Sequence, residues 1–217
     1  MARTPALRQH RSALRRQQVL DAALACFAEQ GIEGTAIEDI CVASGASVGS
    51  IYHLFDGKTA VAAALYLETL SDYQAAVTQD VGPATGAREG IVAIVAAHIR
   101  WVERNPQRAR FLQQARHTEV VTARAPEIAD LNRDFGRAIA AWMAPHVAAG
   151  SLRASLVDIF IAQLLGPAQE YVRGRMSGRE GTQPEAAIEA LGAAAWRALG
   201  IDKGPTLRLS WRDEKWA

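Results

Sequence analysis

The chain has 217 residues, of which 49% are hydrophobic and 22% charged, with a formal net charge of +1. That length suits one or two domains at roughly 100–200 residues each, and the apolar content excludes an intrinsically disordered chain. The small net charge excludes a protein that attracts polyanions over its whole surface, and no apolar run approaches the ~18–20 residues of a bilayer span.

Charge is distributed unevenly at the start. Arg3, Arg8, Arg11, Arg15 and Arg16 all precede the first acid, Asp21. Residues 1–16 lack the apolar stretch of a secretory signal, so a cytoplasmic protein is expected. They read as a basic arm, either a solvated tail or one that reaches DNA phosphates or a minor groove.

Helical periodicity then takes over. Val19, Leu20, Ala23, Leu24 and Phe27 recur at steps of three and four, and Gly31 is a natural stop. Thr35-Ala36-Ile37-Glu38 reads as a capping box with Thr35 as the cap. It opens a short helix with Ile37, Ile40 and Cys41 inward, broken at Gly45. Ser47 caps a third helix with Ile51 and Phe55 inward, and Asp56-Gly57 ends it. A fourth helix runs from about Lys58 to about Val77. Cys26 and Cys41 fit no metal or redox spacing and read as small buried hydrophobes.

Helix, tight glycine turn and helix over residues 35–55 is the geometry of a helix-turn-helix, whose second helix enters the major groove. Outside its apolar anchors that second helix is small or polar: Ser47, Gly49, Ser50, Tyr52 and His53. Small residues let the backbone approach a crowded groove, and a helix N-terminus suits phosphate. Lys58 can add a point charge.

Residues from about Arg15 to Leu65 resemble the N-terminal domain of the TetR (tetracycline repressor) family. The resemblance rests on Ala25-Cys26-Phe27-Ala28-Glu29-Gln30-Gly31, Gly34-Thr35, Ile37-Glu38-Asp39-Ile40, Ala43-Ser44-Gly45-Ala46-Ser47, Gly49-Ser50-Ile51-Tyr52-His53-Leu54-Phe55 and Lys58. It implies an all-α fold: three helices around a helix-turn-helix, a connecting fourth helix, and a larger helical ligand-binding and dimerisation domain. It also implies DNA contacts from Thr35, Ser47, Val48, Gly49, Ser50, Tyr52, His53 and Lys58. Three residues depart from the family pattern: Leu54 where tyrosine or histidine is usual, Ala36 where a second threonine is common, and Cys41 where alanine is common. Val48 offers only an apolar contact, such as a thymine methyl, so specificity is expected to lean on DNA shape as well as base edges.

Two short motifs mislead. Gly45-Ala46-Ser47-Val48-Gly49 matches the G-x-S-x-G elbow of esterases, but a helix precedes it where that motif needs a strand. Gly57-Lys58-Thr59 mimics the end of a phosphate loop without its upstream glycine. The five histidines show no ligand-like spacing, so neither a metal, a cofactor nor enzymatic activity is expected.

Beyond a break at Asp80-Val81-Gly82-Pro83, helices are predicted at about 88–103, 106–118, 126–143, 155–175 and 184–199. The run Trp101–Phe111 resembles a hinge in many C-terminal domains of the family, which implies an effector pocket among the helices that follow. Candidate lining residues are His98, Trp101, Phe111, Trp142, Gln163 and Tyr171. The last two helices carry Ile159, Ile161, Leu164 and Leu165, then Ala186, Ala187, Ala190 and Ala193–Ala195; by resemblance they pair with those of a second subunit. The domain plan is an arm (1–16), a helix-turn-helix domain (17–60), an effector-binding and dimerisation domain (61–200) and a tail (201–217). The function expected is a regulator, repressor by family habit, released from a palindromic operator by a small-molecule effector. The alternative is a helical adaptor whose DNA-binding domain is vestigial.

Overall fold

The computed structural model of the chain describes residues 5–82, 85–116 and 118–201. These residues form ten helices: α1 (Pro5–Gly34), α2 (Ile37–Ser44), α3 (Val48–Phe55), α4 (Lys58–Thr78), α5 (Ala87–Arg104), α6 (Pro106–Ala115), α7 (Glu119–Ala123), α8 (Ala125–Ala148), α9 (Val157–Met176) and α10 (Pro184–Leu199). Among the described residues the sole extended pairing is an isolated antiparallel bridge between Leu152 and Gly200, which ties the α8–α9 loop to the end of α10.

Residues 5–16, read from the sequence as an arm, are helical and continuous with α1. Pro5 is tolerated in a first turn, and no glycine or proline interrupts the chain before Gly31. Gly31 marks the kink, with φ 77°, and a short extra turn follows to Gly34. Arg3 and the tail tryptophans, Trp211 and Trp216, lie outside the described residues.

The cap of α2 differs from the sequence reading by one residue. Ala36 occupies the cap position, and its N–H donates to Asp39 Oδ2 at 2.8 Å. Thr35 is 1% exposed and its hydroxyl donates to the Gly31 carbonyl at 2.7 Å. That carbonyl sits at the α1 kink and accepts from both the hydroxyl and, at 3.2 Å, the N–H of Thr35. The remaining boundaries follow the sequence. Gly45 terminates α2 at φ 64°, Ser47 Oγ accepts from the Ser50 N–H at 3.2 Å, and Asp56 and Gly57 turn the chain at φ 59° and 101°. Among the later elements α8 runs beyond the expected 143 through Pro145 to Ala148, α6 stops at Ala115 short of the expected 118, residues 119–123 form a separate helix, and α9 spans Pro167 as expected.

Two apolar clusters form the interior. The first joins Leu20, Phe27, Ile40, Ile51, Phe55, Val61 and Leu65 to Phe111, Ala115, Val120 and Ile128. Helices α6, α7 and α8 therefore close the core of the helix-turn-helix domain. Phe111, a candidate pocket residue in the sequence, instead is fully buried there, its ring stacked on Phe27 with centroids 5.8 Å apart. The second cluster centres on Ile91, Ile94, Ile99, Ile139, Trp142, Phe160 and Leu164. Burying each such side chain contributes roughly 1.5–3 kcal/mol.

Candidate DNA interface and effector cleft

The third helix is mounted by its apolar side. Ile51 and Phe55 are buried, while Val48 is 42% and Tyr52 54% exposed. Ser47, Gly49 and His53 are also exposed and Ser50 partly so. The capped turn thus presents small and polar groups outward from one end of α3. Tyr52 lies over Gly57: a Cβ there would come 3.5 Å from the tyrosine ring. Val42 on α2, which the sequence reading passed over, is 86% exposed and adds apolar surface to the helix pair. An alternation of buried Ile40 with an outward valine two residues on is its only sequence signal.

Two expected DNA contacts sit differently. Thr35 has its side chain in the interior, as described above. Lys58 Nζ donates to the Thr35 carbonyl at 2.7 Å and the Glu33 carbonyl at 3.2 Å. It neutralises the open end of α1 and fastens the start of α4 to it. An ammonium has three protons, so one is left for an outside acceptor.

The far half of α4 lines a cleft of about 910 Å³. Tyr66, Leu70, Tyr73 and Gln74 form its wall on α4, and His98, Trp101 and Val102 on α5 face them. Leu112, Phe135, Ile161 and Leu165 extend the apolar lining. Polar and charged groups also line it, among them Gln113, Arg116, Asp158, Glu170 and Arg173, and three hydrogen-bonded pairs stand at its wall. Tyr73 Oη lies 2.8 Å from His98 Nδ1, Trp101 Nε1–H donates to Asp72 Oδ2 at 3.0 Å, and Gln74 Nε2 donates to Asn132 Oδ1 at 2.9 Å. Burial lowers the His98 imidazole to a pKa of about 4 and pushes the Tyr73 phenol well above its usual range. Both are neutral at neutral pH.

Of the six pocket candidates, the cleft gathers His98 and Trp101. Trp142 is buried in the second core cluster, Gln163 is exposed on α9, and Tyr171 donates to the Thr182 carbonyl at 2.8 Å. Tyr66, Tyr73 and Gln74 were missed. The signal available was the i, i+4, i+7, i+8 stripe Tyr66-Leu70-Tyr73-Gln74, which reads equally as plain core.

Polar contacts connect the cleft to the recognition helix. Arg108 lies 3.7 Å from Asp72 and 3.8 Å from Glu68. Glu68 also meets Arg16 at 3.6 Å and accepts from Gln17 Nε2 at 3.2 Å. The Arg16 guanidinium sits 5.2 Å above the Phe55 ring, at the end of α3.

An exposed, capped second helix on a three-helix head is the geometry of a helix-turn-helix DNA-binding domain. Comparison with known proteins agrees. Residues 19–65 match the family of bacterial regulatory proteins, tetR family. The chain is 26% identical over 148 residues to the HTH-type transcriptional repressor KstR2 of Rhodococcus jostii, covering 68% of this chain and 72% of that one. A TetR-family protein of Vibrio parahaemolyticus superposes with a TM-score of 0.73 at 17% identity, over 86% of this chain and 99% of that one. The regulator FadR of Bacillus subtilis, solved in complex with stearoyl-CoA, gives 0.70 at 17% identity, over 82% and 96%. The N-terminal head over residues 19–65 is thus a tetR-type helix-turn-helix domain, and the chain as a whole shares the fold of these regulators.

Proposed function

We propose that the protein is a homodimeric repressor, released from a palindromic operator when a small amphipathic effector fills the cleft. One observation carries this reading: α4 is fastened by Lys58 to the head that presents α3, and its other half forms a wall of the cleft. A ligand that prefers a different α4 position shifts the population away from the state that fits DNA. A lining that mixes apolar with polar and charged side chains suits an amphipathic molecule, and the FadR structure with stearoyl-CoA shows that a regulator of similar fold takes one.

Dimerisation is supported by the outward faces of α9 and α10. Ile159 is 48% exposed, with Ala162, Gln163 and Pro167 also exposed on α9. On α10 the exposed residues include Ala186, Glu189, Ala190 and Arg197. Small and apolar residues on two adjacent helices allow a second copy to pack closely. A two-fold dimer brings two recognition helices to half-sites roughly 34–36 Å apart. Val48, Gly49, Ser50 and His53 face bases, and Ser47, Tyr52 and the third proton of Lys58 face phosphates.

Selection of bound sequences from a random DNA pool, at two salt concentrations, tests this. A recovered palindrome with constant half-site spacing is the expected result. Recovery of only salt-labile, unspecific DNA would reduce the basic residues of α1 to phosphate attraction and favour the adaptor reading. Among the described residues no helix is long and apolar enough to cross a membrane.

A further inference from the structure

Residues 19–65, the span matched to the tetR-type head, carry six carboxylates, Asp21, Glu29, Glu33, Glu38, Asp39 and Asp56, against one cation, Lys58. Lys58 spends two of its three protons on the Glu33 and Thr35 carbonyls. From Thr35 to Gly57, helices α2 and α3 and their turns contain neither lysine nor arginine. Duplex DNA carries a negative charge every ~1.7 Å of its axis, and cations that displace its counterions supply most of the non-specific affinity. A head of this charge repels the phosphates it must approach. The hydroxyls and N–H groups of α3 can position it there, but they displace no counterions.

The missing charge stands immediately upstream. Residues 1–18 hold Arg3, Arg8, Arg11, Arg15 and Arg16 and no carboxylate. Because α1 is helical from Pro5, positions 8, 11 and 15 fall on one stripe. Arg11 and Arg15 are exposed and make no ion pair among the described residues. Arg124, Arg133, Arg137 and Arg173, by contrast, are each held by a carboxylate three residues away. Arg16 is folded onto Glu68 and over the Phe55 ring at the end of α3. That contact places the root of the leading turns beside the recognition helix. From there the helix runs back to Pro5, a length of about 16 Å at ~1.5 Å per residue.

We propose that the leading turns of α1 are a second DNA-contacting element, in which Arg11 and Arg15 bind backbone phosphates flanking the bases read by α3 and supply the electrostatic affinity that the head lacks. Helical form decides between the two ways a basic arm can reach DNA. A helix with its side chains is ~10–12 Å across and the minor groove is ~6 Å wide, so the turns lie along the phosphate backbone and do not enter the groove. Such a contact adds affinity without reading sequence. The assignment rests on the reading of α3 as a DNA-recognition helix.

The test is binding of the full chain to a fluorescent DNA duplex of random sequence, read by anisotropy over a series of salt concentrations. For the native protein the logarithm of the binding constant is expected to fall steeply with the logarithm of salt. Arg11→Gln with Arg15→Gln should flatten that slope by about 2 per protomer, at ~0.9 for each lost phosphate contact. Arg11→Lys with Arg15→Lys should keep it, because the effect follows charge. Arg133→Gln with Arg137→Gln removes the same charge from α8 and should leave the slope unchanged. An unchanged slope in the α1 glutamine pair, an equal loss in the lysine pair, or the same loss from the α8 pair overturns the proposal. So does a native slope no steeper than about 1 per protomer, the share of Lys58 alone, and that reading needs no variant to fold. Native protein that binds no DNA at any salt concentration removes the DNA-recognition reading together with this one; binding whose slope survives in the glutamine pair removes this one alone.

Discussion

Tyr52 and His98 carry opposite demands at the residue scale, one held out to solvent and the other taken from it. Tyr52→Phe keeps the ring over Gly57 and removes only the hydroxyl. Operator affinity should fall about tenfold, uniformly across half-site sequences, because a phosphate contact positions without reading bases; a binding-site series by fluorescence anisotropy checks this. For His98 the folded pKa of about 4 lies below the ordinary 6.5. Between those values the unfolded chain takes up a proton that the folded chain refuses, so stability falls as pH drops from 6.5 toward 4. At roughly 1.4 kcal/mol per pH unit, this removes about 2 kcal/mol between pH 7 and pH 5. H98F should abolish that part of the slope in urea midpoints. Gly90 is constrained by packing rather than by φ: a Cβ there would lie 2.3 Å from the Trp142 ring. Gly90→Ala should cost about 1–3 kcal/mol of unfolding free energy, measured by urea titration.

Helices α1, α4 and α6 meet at the acidic side chain of Glu68, and this junction governs behaviour at the element scale. Each ion pair is partly solvated and worth little alone. Together they link Trp101, through Asp72, Arg108, Glu68 and Arg16, to Phe55 at the end of α3. Glu68→Gln should leave the fold intact and shrink the effector-induced loss of operator affinity by roughly 2–30-fold, the range of coupling energies carried by such intermediates. Operator titrations with and without ligand read this directly, and unchanged coupling would assign the signal to α4 alone. The capped turn behaves differently. Ser47→Ala removes the acceptor for the Ser50 N–H and should cost about 0.5–2 kcal/mol, with a loss of operator affinity that follows the loss of α3 order.

At the scale of the whole molecule, the head and body share one interior, since Phe111, Val120 and Ile128 complete the core around Phe27. A head cut from the body at residue 60 would expose that core, so the DNA-binding unit is expected to lose its cooperative thermal transition in isolation. The outward faces of α9 and α10 predict a solution mass of two chains by light scattering, and a one-chain mass would remove the dimer. The helix-turn-helix was legible in the sequence because its signals are local: glycines at 31, 45 and 57, the Ser47 cap, and the apolar pair Ile51 and Phe55 each act within a turn of where they stand. Leu54, a departure from the family pattern, is half-buried against the first core cluster, so a packing role accounts for it. Even the cap of α2 slipped by one residue only because the Gly31 carbonyl, four residues upstream, claimed the Thr35 hydroxyl. The cleft was not legible in the same way. Whether an aromatic on a helix lines a cavity or fills a core depends on what other helices place opposite it. Phe111 met Phe27 across more than eighty residues of sequence, and Trp142 met Gly90, while His98 met Tyr73 at the wall of the cleft. Local hydrogen bonding and periodicity thus determined the head from sequence alone, and only long-range packing decided which side chains fill a core and which line the cleft.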